Sequence, residues 1–284
     1  MGNQVTCQDC APADETLYKK QYGVINCSRN NELDKNIYYI DIHQTSESDL
    51  NRLKSQWTLI SSLSTNFMKP VKIDIINDDK MFSSKRMLRV YLPIEEYTLA
   101  EYATQNLKIN PLIPEIQLLN ILSNVVDALF IFEKNGILHG NISPDTIMFD
   151  SRGQWRLSTP NFEHVSLQTR MRSGKENLMF LLAPEAKGKS LSANECAKAD
   201  LFSLAVTILH SIDSFSDSKL SQSLTQSDLQ AKLEFLNQYY SQTLVQLFAS
   251  ILVTEAQDRS SVEQLRERLD EMIDISANDP LLHK

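Results

Sequence analysis

Residues 198–212, KADLFSLAVTILHSI, are apolar on almost every side of a helix, and no other run constrains the fold as strongly. A surface helix keeps an apolar stripe toward the core and a polar face toward water, so a helix apolar all round must be enclosed by other elements. The chain therefore needs a lobe large enough to surround this segment. Residues 116–134 read as another buried helix, because Leu118, Leu119, Leu122, Val125, Val126 and Leu129 recur at three- and four-residue steps, the spacing such a helix requires. Amphipathic helix continues over 228–252 and 260–275, followed by a polar tail ending ANDPLLHK. With 284 residues the chain is long enough for one large domain or two modest lobes with a sizeable core.

Ahead of this helical part the pattern differs. Residues 36–44, 69–78 and 85–93 are β-branched and aromatic runs, which read as strands. Between the first two, residues 46–63 place Leu50, Leu53, Trp57, Ile60 and Leu63 on one helical face. Ser46 or Ser48 is positioned to cap its start. A small strand-rich lobe with one helix, followed from about residue 98 by a larger helical lobe, is the expected architecture.

The bulk numbers narrow the function classes. A composition of 42% apolar and 23% charged residues is that of an ordinary soluble globular chain. A net charge of −8 and a pI near 5.2 argue against non-specific nucleic-acid binding, which needs clustered Lys and Arg, and no basic stripe interleaved with aromatics is present. The longest apolar stretch, residues 121–132, is interrupted by Ser123, Asn124 and Asp127 and reads as too short to cross a bilayer. The four cysteines, Cys7, Cys10, Cys27 and Cys196, follow no secretory signal and fit a reducing, cytoplasmic setting. Cys7 and Cys10 have zinc-knuckle spacing but lack a second ligand pair, so no metal is expected.

The opening MGNQVTCQDC carries a possible address. After removal of Met1, Gly2 heads a Gly-x-x-x-Thr pattern ending at Thr6, an acceptor signal for N-myristoylation. One myristoyl chain gives only marginal attachment, and Cys7 and Cys10 are close enough to be palmitoylated as the second signal. The alternative reading is a polar terminus with two incidental thiols.

Four stretches in this order resemble the protein kinase family over about residues 17–275. HGNISPDTIMFD (139–150) has the length and apolar spacing of the kinase catalytic loop. APEA (183–186) is similar to the Ala-Pro-Glu closing the activation segment. ADLFSLAVTIL (199–209) resembles the Asp-Val-Trp-Ser-Leu-Gly helix of the large lobe. EAQDRSSVEQL (255–265) resembles the Arg-Pro-Ser region. The resemblance implies an α+β, bilobal protein kinase-like fold, with an N-terminal targeting segment over 1–16, a strand-rich N-lobe over 17–93, a mainly helical C-lobe over 94–275 and a tail over 276–284.

Position by position, the chemistry implied by that resemblance is missing. Phosphoryl transfer needs an orienting carboxylate, two metal-binding groups, a lysine on the phosphates and a glycine-rich roof. The catalytic Asp position is Asn141, whose amide accepts no proton at neutral pH. The preceding Arg is Gly140, the loop Lys is Ser143, and the metal-binding Asn is Thr146. Thr159, Pro160 and Asn161 stand where Asp-Phe-Gly would. The strand Lys aligns with Asp41 and its helix Glu partner with Gln56, which can hydrogen-bond to Asp41 where a Glu would repel it. Lys35 and Lys72 are the available surrogate lysines. In residues 21–35, where the glycine-rich loop belongs, only Gly23 is glycine. Two unit charges ~4 Å apart at an effective dielectric of ~20 interact by about 4 kcal/mol, so one reversed contact shifts nucleotide affinity by orders of magnitude.

What the resemblance retains is scaffold. His139 is expected to be buried and hydrogen-bonded, Asp200 to cap loop amides, and Glu185 and Arg259 to form a buried ion pair. Asp145 beside Pro144 reads as a solvated turn residue, and Arg170, Met171 and Arg172 as a solvated loop. The expectation is a pseudokinase without catalysis, cofactor or ATP binding. It would dock or allosterically control other proteins from the cytoplasmic face of a membrane. The alternatives are an atypical nucleotide-binding enzyme transferring phosphoryl or nucleotidyl groups, and a structural subunit of a large assembly.

Overall fold

The computed structural model describes residues 26–30, 35–43, 46–80, 83–93, 97–106, 108, 112–158, 160, 181–187, 191–212 and 225–278. The chain divides into two compact units, residues 1–95 and 96–284, and its class is mixed α+β.

In the first unit four strands, β1 (Asn26–Asn30), β2 (Lys35–His43), β3 (Lys72–Lys80) and β4 (Ser83–Pro93), form one antiparallel sheet in the order β1-β2-β4-β3. Helix α1 (Glu47–Leu63) lies between β2 and β3 in sequence and packs on β4. Strand alternation puts Leu88, Val90 and Leu92 on one face, with Ile40 opposite Val90. All four are buried, as are Leu50, Leu53, Trp57 and Ile60 of α1. Each such side chain contributes roughly 1.5–3 kcal/mol by leaving water. Ser46 caps α1, its hydroxyl accepting from the Asp49 amide at 3.1 Å.

Leu63 departs from the expected stripe and is 49% exposed. The other four positions cluster within about 80° around the helix axis, and Leu63 lies roughly 100° from their centre at the final residue, where the apolar arc has rotated away from the sheet. Residues 21–35, assigned from sequence to a loop, include the β1 strand, whose residues pair with 35–39 of β2.

The second unit contains β5 (Tyr97–Thr98), α2 (Leu99–Asn106), α3 (Glu115–Lys134), β6 (Ile147–Phe149), β7 (Trp155–Leu157), α4 (Ala193–Ile212), α5 (Gln226–Tyr239), α6 (Gln242–Ile251) and α7 (Val262–Asn278). Short 3₁₀ turns occupy Pro184–Lys187 and Ala256–Asp258. Every residue of α4 from Ala199 to Leu209 is buried, enclosed by α2, α3, α6 and α7. At 20 residues, α3 is long and apolar enough by length and composition to cross a membrane, which corrects the expectation drawn from residues 121–132 alone. Its apolar residues are packed within the unit against α4, α7 and β7, as a core helix requires.

The amphipathic run 228–252 is broken at Tyr240–Ser241. Ser241 caps α6 by accepting from the Leu244 amide, while the Glu115 carboxylate accepts from both the Ser241 amide and hydroxyl. The Tyr240 hydroxyl donates to the Ile113 carbonyl at 2.9 Å. These contacts outweigh continuation of the helix.

Strands β5, β6 and β7 form a second, three-stranded sheet in that order. Its rings pack together: Tyr97 stacks on Phe149 at 4.8 Å and on Tyr102 at 5.9 Å, with Trp155 edge-on beneath.

Candidate functional site

The loop from α3 to β6 carries most of the residues singled out from the sequence. It begins as α3 ends at Lys134, where Gly136 at φ 62° turns the chain with its amide bonded to the Glu133 carbonyl at 2.9 Å. Gly140 is also left-handed, at φ 67°.

Asp200, from the enclosed helix α4, fixes the loop entry. Its two carboxylate oxygens accept from the amides of His139 at 2.7 Å and Gly140 at 2.9 Å. Charge-assisted bonds of this kind, buried and short, are the strong ones. Thr207, two turns further along α4, donates to the Ile142 carbonyl at 3.4 Å.

His139 is fully buried. Its Nε2 lies 3.0 Å from the Ser158 carbonyl and its Nδ1 3.3 Å from the Asn141 amide. A carbonyl only accepts and an amide only donates, so the ring is neutral with its proton on Nε2. Burial pushes its pKa down from 6.5 to about 3, against a smaller upward pull from the Ser158 carbonyl. Phe132 lies edge-on to the ring at 5.4 Å.

The next residues close on themselves. The Thr146 hydroxyl accepts from the Ser143 amide at 2.9 Å and is within donating distance of the Asn141 carbonyl at 2.8 Å and the Ser143 carbonyl at 3.0 Å. The Ser143 hydroxyl is 3.3 Å away. Thr146 is completely buried and Ser143 nearly so. The Thr146 carbonyl then receives the Ser158 amide at 2.8 Å and hydroxyl at 3.1 Å. The Thr146 hydroxyl thus staples the loop to its own backbone, with the Ser143 hydroxyl beside it. Asp145, read from sequence as solvated, is half-buried in the turn.

Asp150 was not singled out from sequence and organises the loop exit. Its Oδ1 accepts from the amides of Arg152 and Gln154, both at 2.9 Å, and its other oxygen pairs with Arg156. Burial alone would raise its pKa, but the Gln154 amide, the Arg156 guanidinium and the Arg152 amide together hold it below the ordinary carboxylate value. The signal was present: Asp-x-x-Gly before an apolar strand is turn chemistry. Gly153, at φ 80°, supplies the left-handed position. Ser158 was also overlooked, having no pattern to mark it.

A second cluster joins two distant segments of the same unit. Arg259 Nη1 and Nη2 lie 2.5 and 3.0 Å from the two oxygens of Glu185, a two-pronged pair with the Arg259 side chain fully buried. Its remaining donors reach the carbonyls of Val253, Lys198 and Thr254, and its guanidinium lies 4.7 Å over the Phe202 ring. Every N–H of the side chain has a partner, so the buried charge is matched.

The sequence-derived positions of the first unit are described within that unit. Gln56 accepts from Arg52 within α1 at 3.2 Å. Asp41 lies in β2 with its backbone opposite Arg89. Lys72 pairs with Asp74 at 2.8 Å and is half-exposed. Gly2, Cys7, Cys10, Gly23, Thr159, Asn161, Arg170, Met171 and Arg172 lie outside the described residues, as do the side chains of Lys35 and Asp41. Among the described residues no three His, Cys, Asp or Glu side chains are grouped to hold a metal.

No protein-family model matches the chain.

Proposed function

We propose that the chain is a pseudokinase: a bilobal, protein kinase-like domain without phosphoryl transfer, tethered to a membrane through acylation at Gly2, Cys7 and Cys10, that scaffolds or allosterically controls other proteins. The observation that carries the reading is the Thr146 hydroxyl. At the place where a kinase needs a metal ligand, this group is buried and committed to the Ser143 amide and the Asn141 and Ser143 carbonyls. Coordination of Mg²⁺ there would require those bonds to break and a cation to be held by a neutral oxygen, whereas Mg²⁺ sites are built on carboxylates and substrate phosphates. His139, neutral and enclosed, has no open path to a substrate proton. The kinase resemblance is supported by the scaffold residues it named: Asp200 on the loop amides and Glu185 with Arg259.

A thermal-shift measurement with ATP and Mg²⁺ on the full chain tests the central claim. No change in melting temperature at millimolar nucleotide is expected, and a shift abolished by EDTA would overturn it. For the tether, Gly2→Ala is expected to move the protein from the membrane to the soluble fraction of cells. Equal partition of both forms would remove the acylation from the account.

A further inference from the structure

Asn135, where α3 ends, is the one asparagine in the chain that is followed by glycine. That dipeptide carries a chemistry of its own. The backbone nitrogen after an asparagine can attack the side-chain amide carbon, and glycine, with no Cβ, leaves the approach unobstructed. Both Asn135 and Gly136 are exposed to water.

The helix end restrains both reacting groups. The Gly136 amide donates to the Glu133 carbonyl and the Ile137 amide to the Phe132 carbonyl, each at 2.9 Å, with Gly136 left-handed at φ 62°. These are the paired bonds of a Schellman cap. The Asn135 side chain turns back along α3, its Nδ2 donating to the Ile131 carbonyl at 2.8 Å. The attacking nitrogen thus has its proton held by one carbonyl, and the group it must expel is held by another. Both bonds have to open before the reaction, and a helix end opens far more readily than the whole fold.

We propose that Asn135 is a deamidation site gated by the α3 cap. When the cap opens, solvent base takes the Gly136 amide proton and the nitrogen attacks Asn135 Cγ. The new N–Cγ bond closes a succinimide ring, the Cγ–Nδ2 bond breaks, and Nδ2 leaves as ammonia with a proton returned by solvent. Water then opens the ring at either carbonyl, giving aspartate or isoaspartate, and nothing is oxidised or reduced. Either product places a negative charge at a helix C-terminus, against the macrodipole, and removes the donor that satisfied Ile131. That charge arrives beside Glu133, whose carboxyl burial already pushes above its ordinary value, with Glu263 adding to the rise against Lys134 and Lys198. Isoaspartate also lengthens the main chain by a methylene, which breaks the spacing of the cap just ahead of the His139 and Gly140 amides that Asp200 holds. The modification therefore records opening of this helix end and loosens the loop that follows.

The test incubates the full chain at neutral pH, folded and in urea, and follows it by peptide mapping with mass spectrometry. The readout is the amide-to-acid mass gain and the separate elution of aspartyl and isoaspartyl peptides. Conversion at Asn135 is expected in both conditions, about tenfold or more slower in the folded chain. Ile137→Ala leaves the Asn-Gly pair intact and removes the apolar side chain that accompanies this kind of cap. It should speed conversion in the folded chain by about threefold or more and leave the rate in urea unchanged. Ser241→Ala weakens the fold at the opposite end of α3, where Ser241 meets Glu115, and should leave the folded rate as in the parent. No conversion in the folded chain, equal rates folded and in urea, no acceleration by Ile137→Ala, or equal acceleration by Ser241→Ala would each overturn the proposal.

Discussion

Arg259 and Glu185 show how much can hang on one pair of side chains. With five N–H donors matched and the guanidinium out of water, removing only one partner strands a buried charge. Arg259→Ala or Glu185→Gln should each lower stability by about 3–5 kcal/mol, measured by urea unfolding, and the double replacement by less than the sum. Thr146→Val keeps the shape of the side chain and deletes the hydroxyl, leaving the Ser143 amide without its acceptor. A loss of about 1–3 kcal/mol is expected in the same assay. His139 titrates near 3 in the folded chain and near 6.5 when unfolded. Between those values the unfolded chain binds the extra proton. Its contribution is therefore full above pH 6.5 and falls as the pH drops toward 3, by up to about 1.4 kcal/mol per unit. His210, also depressed by burial, adds to the same slope. Stability curves of parent and His139→Gln between pH 7 and 4 should differ by about one proton in slope, and parallel curves would refute the assignment.

At the scale of elements, the helices that sequence periodicity announces are those whose burial the structure shows. Leu118, Leu119, Leu122, Val125, Val126 and Leu129 repeat often enough to define a face, and all are buried in α3. The enclosed α4 was legible for a simpler reason, since an all-apolar helix has no other place to go. The break at Tyr240–Ser241 was not legible, because its decisive partner, Glu115, lies 126 residues away and a serine among other polar residues is a weak cap signal. Strand β1, NCSRN, has little β propensity of its own and is held by pairing with β2. In the loop, the residue types at 139–146 could be read from the chain, but the direction of each hydroxyl could not, since a threonine serves water or backbone equally until the turn around it is fixed. Replacing Ser241 with Ala should cost about 1 kcal/mol through the lost cap, read from the melting temperature.

For the molecule as a whole, the two compact units have separate cores: one between α1 and its sheet, the other around α4. Residues 96–284 expressed alone are expected to unfold in one cooperative transition by circular dichroism, and a melt without a sigmoid would show that the core around α4 is not self-sufficient. One consequence of Gly140 reaches furthest. Its φ of 67° is a conformation in which a side chain such as arginine is strained by roughly 1–2 kcal/mol. An arginine placed there would carry that strain whatever its side chain touched. An engineer grafting any larger residue at position 140 would trade main-chain ease for side-chain reach, and asparagine, which visits the left-handed region most readily after glycine, is the cheapest graft.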